Sequence, residues 1–216
     1  MPPNGQMPRY IVVEGPIGVG KTTLVRRLSE RFNARTVLEI FEENPFLASF
    51  YDDPHRHAFQ TEMFFLLSRY RQQEEFAQTD LFSSAHVSDY LFVKCRLFAG
   101  LTLNDHELAL YDRMYNILTT QVAAPDVVVH LRAPVEVLLG RIQKRGRDYE
   151  QNMDPAYLER LSGLYHNYFT HYEDAPLVDV DASEVNYAED DDALDALVER
   201  IGQTWRDSLT EPTRDW

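Results

Sequence analysis

Apolar residues are spaced in two ways along this chain. Short, nearly continuous apolar runs alternate with longer stretches in which apolar positions recur every three or four residues. The short runs predict strands at Tyr10–Glu14, Thr36–Glu39, Leu81–Ser88, Val127–Leu131 and Leu177–Val180. In Asp126-Val127-Val128-Val129-His130-Leu131 the polar interruption is so slight that both faces must be covered, as in a parallel strand between helix layers. The longer stretches read as helices. Phe59, Met63, Leu66, Leu67 and Tyr70 share one face, and so do Leu108, Tyr111, Tyr115 and Leu118. Pro134 followed by Glu136 marks a helix start. A terminal helix is predicted over Asp190–Trp205, and the acidic run Glu189-Asp190-Asp191-Asp192 is its solvated beginning rather than a metal site. Strands alternating with helices predict an α/β fold with a parallel sheet flanked by helices and right-handed crossovers.

Between the first strand and the first helix the chain reads Gly15-Pro16-Ile17-Gly18-Val19-Gly20-Lys21-Thr22. This is a complete phosphate-binding loop in the strand-loop-helix setting that gives the pattern its meaning. Backbone N–H groups of Gly15, Pro16's successor Ile17, Gly18, Val19, Gly20 and the first helical residues through Thr23 converge on phosphate oxygens. Lys21 neutralises charge, and the Thr22 hydroxyl suits Mg²⁺. The loop predicts a nucleoside triphosphate; it leaves open which one, with ATP the expected donor, and which acceptor.

Composition narrows the acceptor. With 216 residues, 44% of them hydrophobic, the chain suits one domain with a full core. A formal net charge of −14 repels polyanions, which argues against nucleic acid or an anionic membrane as partner. A single cysteine, Cys95, fits a reducing cytoplasm, and it reads as packing or pocket lining rather than a nucleophile. The seven histidines lack metal-ligand spacing: His55 and His57 are expected in a turn beside Pro54, His166 and His171 on a polar helix.

Against the acidic background, Arg141, Arg145 and Arg147 cluster at a predicted helix end. Arg141 and Arg145 share a helical face, and Gly146 can end the helix and turn Arg147 back across the site. Such a lid would stabilise charge on a transferring phosphoryl group. An alcohol acceptor calls for a carboxylate at its hydroxyl. Glu39, at the carboxyl end of the second strand, is best placed for that, because ligands of open parallel sheets gather there. Asp89 ends the third strand-like run. It suits Mg²⁺ or its water shell, and equally a helix N-cap before Tyr90-Leu91-Phe92.

These pieces, in this order, resemble the deoxyribonucleoside kinase family, and within it the bacterial purine (deoxyadenosine/deoxyguanosine) type. The likeness runs from about Arg9 to Trp205. It rests on the loop, on Glu42-Glu43-Asn44-Pro45-Phe46-Leu47, on Phe50-Tyr51-Asp52-Asp53-Pro54 and on Phe64-Phe65-Leu66-Leu67-Ser68-Arg69-Tyr70. Val87-Ser88-Asp89-Tyr90-Leu91-Phe92 and Arg145-Gly146-Arg147-Asp148-Tyr149-Glu150-Gln151 complete it. The resemblance implies a P-loop kinase three-layer fold with a five-stranded parallel sheet, a homodimer through a helical bundle, and phosphorylation of a deoxynucleoside 5′-hydroxyl in nucleotide salvage. Residues 1–8, rich in Pro, Gly and Asn, read as a flexible leader, with Met7 an alternative start; the resemblance implies 9–207 as the kinase domain with its lid at about 141–150, and 208–216 as a tail. It makes Glu39 the catalytic carboxylate, Tyr51 and Glu150 the grip on the sugar 3′-hydroxyl, Arg69 an arginine near the base and Phe92 a residue lining the base pocket.

The chain departs from the family pattern in three places. Glu39 is followed by Ile40-Phe41 instead of Pro-Val. Asp89-Tyr90-Leu91 stands where Asp-Arg-Ser is common, so the arginine beside the substrate oxygen is missing, and Lys94 or a lid arginine would have to substitute. Ungapped alignment puts Glu62 where the family pairs a glutamine with the base. An ionised carboxylate only accepts hydrogen bonds, which would favour guanine if Glu62 faces the Watson–Crick edge; a salt bridge to Arg69 would leave the preference open, and a shift of two would put Gln60 there. Two other readings stay open: a thymidylate-like nucleoside-monophosphate kinase, disfavoured by Glu39, Glu42 and Glu43 where a second phosphate would need cations, and a non-catalytic nucleotide-binding protein.

Overall fold

β1 (Tyr10–Glu14) is buried along its whole length because it is the middle strand of a five-stranded parallel sheet ordered β2-β3-β1-β4-β5. The computed structural model describes residues 7–79, 85–147, 150 and 153–210. β1 pairs with β3 (His86–Ser88) on one side, Ile11 opposite Val87, and with β4 (Val127–Arg132) on the other, Val13 opposite Val129. β2 (Arg35–Val37) and β5 (Leu177–Asp181) are the edges. The apolar runs therefore occupy the three inner strands, where helices cover both faces.

The helices are α1 (Lys21–Phe32), α2 (Leu47–Asp52), α3 (Pro54–Thr79), α4 (Lys94–Thr102), α5 (Asp105–Thr119), α6 (Val135–Arg145), α7 (Pro155–Thr170) and α8 (Asp191–Thr210). Leu24, Val25 and Leu28 of α1, Leu138 and Ile142 of α6, Leu158 and Leu161 of α7, and Leu194 and Ile201 of α8 are buried in the main core with the sheet. A second core cluster, Leu66, Phe92, Cys95, Ala99 and Tyr111, joins α3, α4 and α5.

Several boundaries move. β2 stops at Val37, two residues short of the predicted Glu39, because the Glu39 N–H leaves the ladder and donates to Asp89 Oδ1 at 2.8 Å. The described part of the third strand is His86–Ser88, and residues 81–84 of the predicted run lie outside the described residues. His55 and His57 sit in the first turn of α3 rather than in a turn before it. Leu67, placed by spacing on the packed face of α3, is half exposed. α8 runs past the predicted Trp205 to Thr210, and the acidic run does begin it: Asp190 Oδ1 accepts the Ala193 N–H at 2.9 Å, and Asp191 pairs with Arg27 and Arg31 of α1.

Candidate active site

The phosphate loop is shaped by positions no side chain could occupy. Gly15 has φ +152°, and a Cβ there would lie 2.3 Å from the Leu131 carbonyl oxygen of β4. Behind it, the fully buried Glu14 stitches three segments together. Its Oε1 accepts the Gly15 N–H at 2.9 Å and the Tyr165 hydroxyl at 3.0 Å, and its Oε2 accepts the Leu91 N–H at 2.6 Å. One carboxylate thus fixes the start of the loop relative to the turn after β3, which carries Asp89. Its signal in the sequence is an acid at the end of an apolar strand, directly before the first loop glycine.

Residues Ile17 to Thr23 of the loop line one end of a cleft of about 720 Å³. Lys21 folds over the loop, donating to the Gly15 and Pro16 carbonyls at 2.7 and 3.0 Å. Burial and the nearby Lys94 ammonium lower its pKa to about 8, against the opposing pull of Glu14, Asp89 and Glu39. Thr22 Oγ1 donates to Asp89 Oδ2 at 2.8 Å. Asp89 is not a helix N-cap, since α4 starts only at Lys94. It braces the loop helix with one oxygen and the Glu39 backbone with the other.

Glu39 stands at the centre of the cleft between two buried cations. Arg69 of α3 donates to Oε1 through Nε at 2.7 Å and through Nη2, and Lys94 of α4 donates to Oε2 at 2.7 Å. Burial alone would raise the Glu39 pKa, but Arg69 first and Lys94 second hold it well below the usual carboxylate range. Lys94 lies 5.5 Å from the Phe98 ring centroid and is almost fully buried. Arg69 is thus turned toward Glu39, with its Nη1 on Cys95 Sγ at 3.1 Å. Burial pushes the Cys95 thiol up, so it stays neutral.

The end of α6 takes the shape the sequence predicts, with one difference. Gly146, at φ 71°, caps α6, and Arg147 turns back so that its guanidinium lies 3.7 Å from the centre of the Phe41 ring. Arg145 and Arg147 both engage Glu150, Arg147 at 3.4 Å, and all three line the cleft with Tyr51. Arg141 instead donates to two carbonyls, Val19 at 3.1 Å and Ala182 at 2.7 Å, clamping the phosphate loop to the end of β5. Asp148, Tyr149 and Gln151 of the quoted lid motif lie outside the described residues.

Phe92 requires correction as a base-pocket residue. It is buried between helices, stacked on Tyr115 at 5.5 Å, and Phe65 and Phe98 line the cleft in its stead. Glu62 does line the cleft: it is 2% exposed, its Oε1 accepts from the Thr102 hydroxyl at 3.2 Å, and its Oε2 has no hydrogen-bond partner among the described residues. No salt bridge ties it to Arg69, which Glu39 has taken.

A model of the deoxynucleoside kinase family matches residues 11–205. The chain belongs to that family. The enzyme is therefore a kinase that phosphorylates deoxynucleosides from an ATP-type donor. Deoxyguanosine kinase of Bacillus subtilis (strain 168) is 41% identical over 157 residues, 72% of this chain and 76% of that one. Deoxyadenosine kinase of Dictyostelium discoideum is 33% identical over 162 residues, covering 74% and 66%. The solved deoxyadenosine kinase from M. mycoides with bound dCTP superposes with a TM-score of 0.78 over 90% of this chain and 99% of its own, at 22% identity, which supports the same fold.

Proposed function

We propose that this kinase transfers the γ-phosphoryl group of ATP to the 5′-hydroxyl of a purine deoxynucleoside. The observation that carries the reading is Glu39, held ionised by Arg69 and Lys94 in the same cleft as the phosphate loop. The identities to deoxyguanosine and deoxyadenosine kinases support the purine preference.

A carboxylate stabilised this far is a weak base, and the reaction does not need a strong one. Phosphoryl transfer passes through a loose transition state with little bonding to the nucleophile, so positioning and charge carry most of the catalysis. Glu39 accepts a hydrogen bond from the 5′-hydroxyl and aims its oxygen along the line of transfer. As the O5′–P bond forms and the bridging P–O bond breaks, the proton passes to Glu39 and on to water. Lys21 and the loop amides hold the donor phosphates. Arg145 and Arg147, both paired with Glu150 and together keeping a net positive charge, lie where they can turn onto the transferring group, while Glu150 and Tyr51 contact the sugar. Thr22 Oγ1 and Asp89 Oδ2, two hard oxygen donors side by side at the loop, fit Mg²⁺, which would neutralise donor charge when bound.

Leu67 of α3 with Leu110 and Ile117 of α5, each at least half exposed, supports a homodimer through these helices. Among the described residues no helix is long and apolar enough to cross a membrane, which agrees with work in the cytoplasm. A steady-state screen of the four deoxynucleosides beside their monophosphates tests the function. Turnover of a purine deoxynucleoside and none of the monophosphates is expected; phosphorylation of a monophosphate alone overturns it.

A further inference from the structure

β2 ends at Val37 and α2 begins at Leu47, yet the irregular segment between them is tied down at both ends. Gln72 of α3 donates to the Leu38 carbonyl at 3.0 Å, and the Glu39 N–H donates to Asp89. Asn44 is buried at the other end. It donates through Nδ2 to the Thr61 carbonyl of α3 at 3.2 Å and through its backbone N–H to the Phe41 carbonyl at 3.1 Å. Side chains alternate along the segment: Glu39 and Phe41 line the cleft, and Ile40 between them is exposed. A fixed stretch of backbone therefore presents a carboxylate and an aromatic ring to the same cleft.

The ring carries Arg147, whose guanidinium carbon is 3.7 Å from the ring centre. That is the contact distance of two stacked planes; approach at the ring edge, or end-on by one nitrogen, would hold the centres farther apart. A stacked guanidinium is held by its face, so its N–H donors, which lie in its plane, stay free for other partners. Among the described residues Arg147 uses one of its nitrogens, Nη1, in a long 3.4 Å bond to Glu150. Arg145 differs: it pairs with Glu150, and among the described residues no ring lies beneath it.

We propose that Phe41 is a positioning residue for phosphoryl transfer: its ring keeps Arg147 flat over the cleft, with the N–H edge free for the transferring group. The inference rests on the mechanism proposed above, in which Glu150 contacts the sugar. A sugar hydroxyl at Glu150 weakens the carboxylate's hold on both arginines, and Arg147 alone still has the ring. One tied segment then sets both Glu39, at the acceptor oxygen, and Arg147, at the phosphoryl group, so the two stay in register as the lid closes. Valine, common in the family where Phe41 stands, offers no π face. The contact thus belongs to this chain's own departure at Ile40-Phe41.

The test is the single-turnover rate of transfer, with saturating ATP and Mg²⁺ and whichever of the four deoxynucleosides turns over fastest. Phe41→Leu keeps apolar bulk and removes the π face; Phe41→Tyr keeps the face. Phe41→Leu should slow transfer by about three- to tenfold, what a partly exposed cation–π contact contributes, with the steady-state KM of both substrates unchanged. Phe41→Tyr should match the wild type. In an Arg147→Gln background, itself slow, Phe41→Leu should cost nothing further, because the ring then has no cation to hold. Rates are taken per folded molecule, and Phe41→Val serves the same comparison if Phe41→Leu does not fold. Full rate in Phe41→Leu overturns the inference, and so does Phe41→Tyr if it is equally slow. An equal loss with and without Arg147 also overturns it and makes Phe41 a wall of the acceptor pocket. In each of these cases a slow Arg147→Gln enzyme leaves the proposed mechanism standing. Arg147→Gln at full rate removes Arg147 from that mechanism, and the inference goes with it.

Discussion

At one end of the cleft the lining is a single contiguous segment, Ile17 to Thr23, which Glu14 and Arg141 hold in place. At the acceptor end the arrangement is reversed: Glu39, Arg69 and Lys94 come from the segment after β2, from α3 and from α4, and their side chains make the site. Backbone geometry cannot be tuned one residue at a time without breaking it, as the 2.3 Å approach of Leu131 O to a Cβ at Gly15 illustrates. Side-chain ion pairs can be rebuilt from different elements, and here Arg69 and Lys94 supply the positive charge around Glu39. On the proposed reading, one end takes a phosphate common to all donors and the other fits a particular hydroxyl and base.

If that contrast is right, acceptor-side changes should reduce turnover and leave nucleotide binding alone. The largest effect is expected for Glu39→Gln. Turnover should fall by roughly a hundredfold or more, within the range for losing a group that handles the reacting proton, while the nucleotide Kd, read by calorimetry, stays unchanged. Full activity in that variant would remove Glu39 from the chemistry. Lys94→Met should lower kcat by roughly ten- to a hundredfold, less than loss of a sole charge-stabilising donor can cost, because Arg69 still holds the carboxylate. Lys94→Arg should recover part of the loss. A Lys94→Met enzyme with lost stability but intact kcat per folded molecule would make Lys94 a packing residue.

The same contrast explains what could be read from the sequence. The loop is contiguous and its spacing is set by backbone geometry, so Gly15 to Thr22 identified the phosphate end without help from tertiary structure. The inner strands were equally plain, since burial on both faces leaves few polar residues in Tyr10–Glu14 or Val127–Arg132. The acceptor end depends on side chains brought together over 30 and 55 positions of sequence, Glu39 to Arg69 and Glu39 to Lys94. Linear spacing carries no trace of such pairs, so Arg69 was expected beside the base and Lys94 was one of several candidate cations. Phe92 shows the remaining difficulty. An aromatic just after a functional turn can face either the cleft or the helices behind it, and the start of α4 at Lys94 turned it toward Tyr115.

Arg141 gives the smallest expected effect and the sharpest division between the two ends. By sequence it belongs with Arg145 and Arg147 in the lid, where its loss would lower kcat. By contact it belongs to the loop, since both of its hydrogen bonds go to carbonyls, Val19 within the loop and Ala182 beyond β5. A clamp of that kind holds the amides in place before the nucleotide arrives, even though Arg141 also lines the cleft. Arg141→Ala should therefore raise the KM for ATP by about three- to tenfold, the net contribution of one ordinary hydrogen bond, with kcat nearly unchanged. The deoxynucleoside KM should not move. A fall in kcat at constant KM for ATP would instead put Arg141 with its neighbours over the phosphoryl group, and the division between a backbone-built and a side-chain-built end would have to be redrawn to include α6 in both.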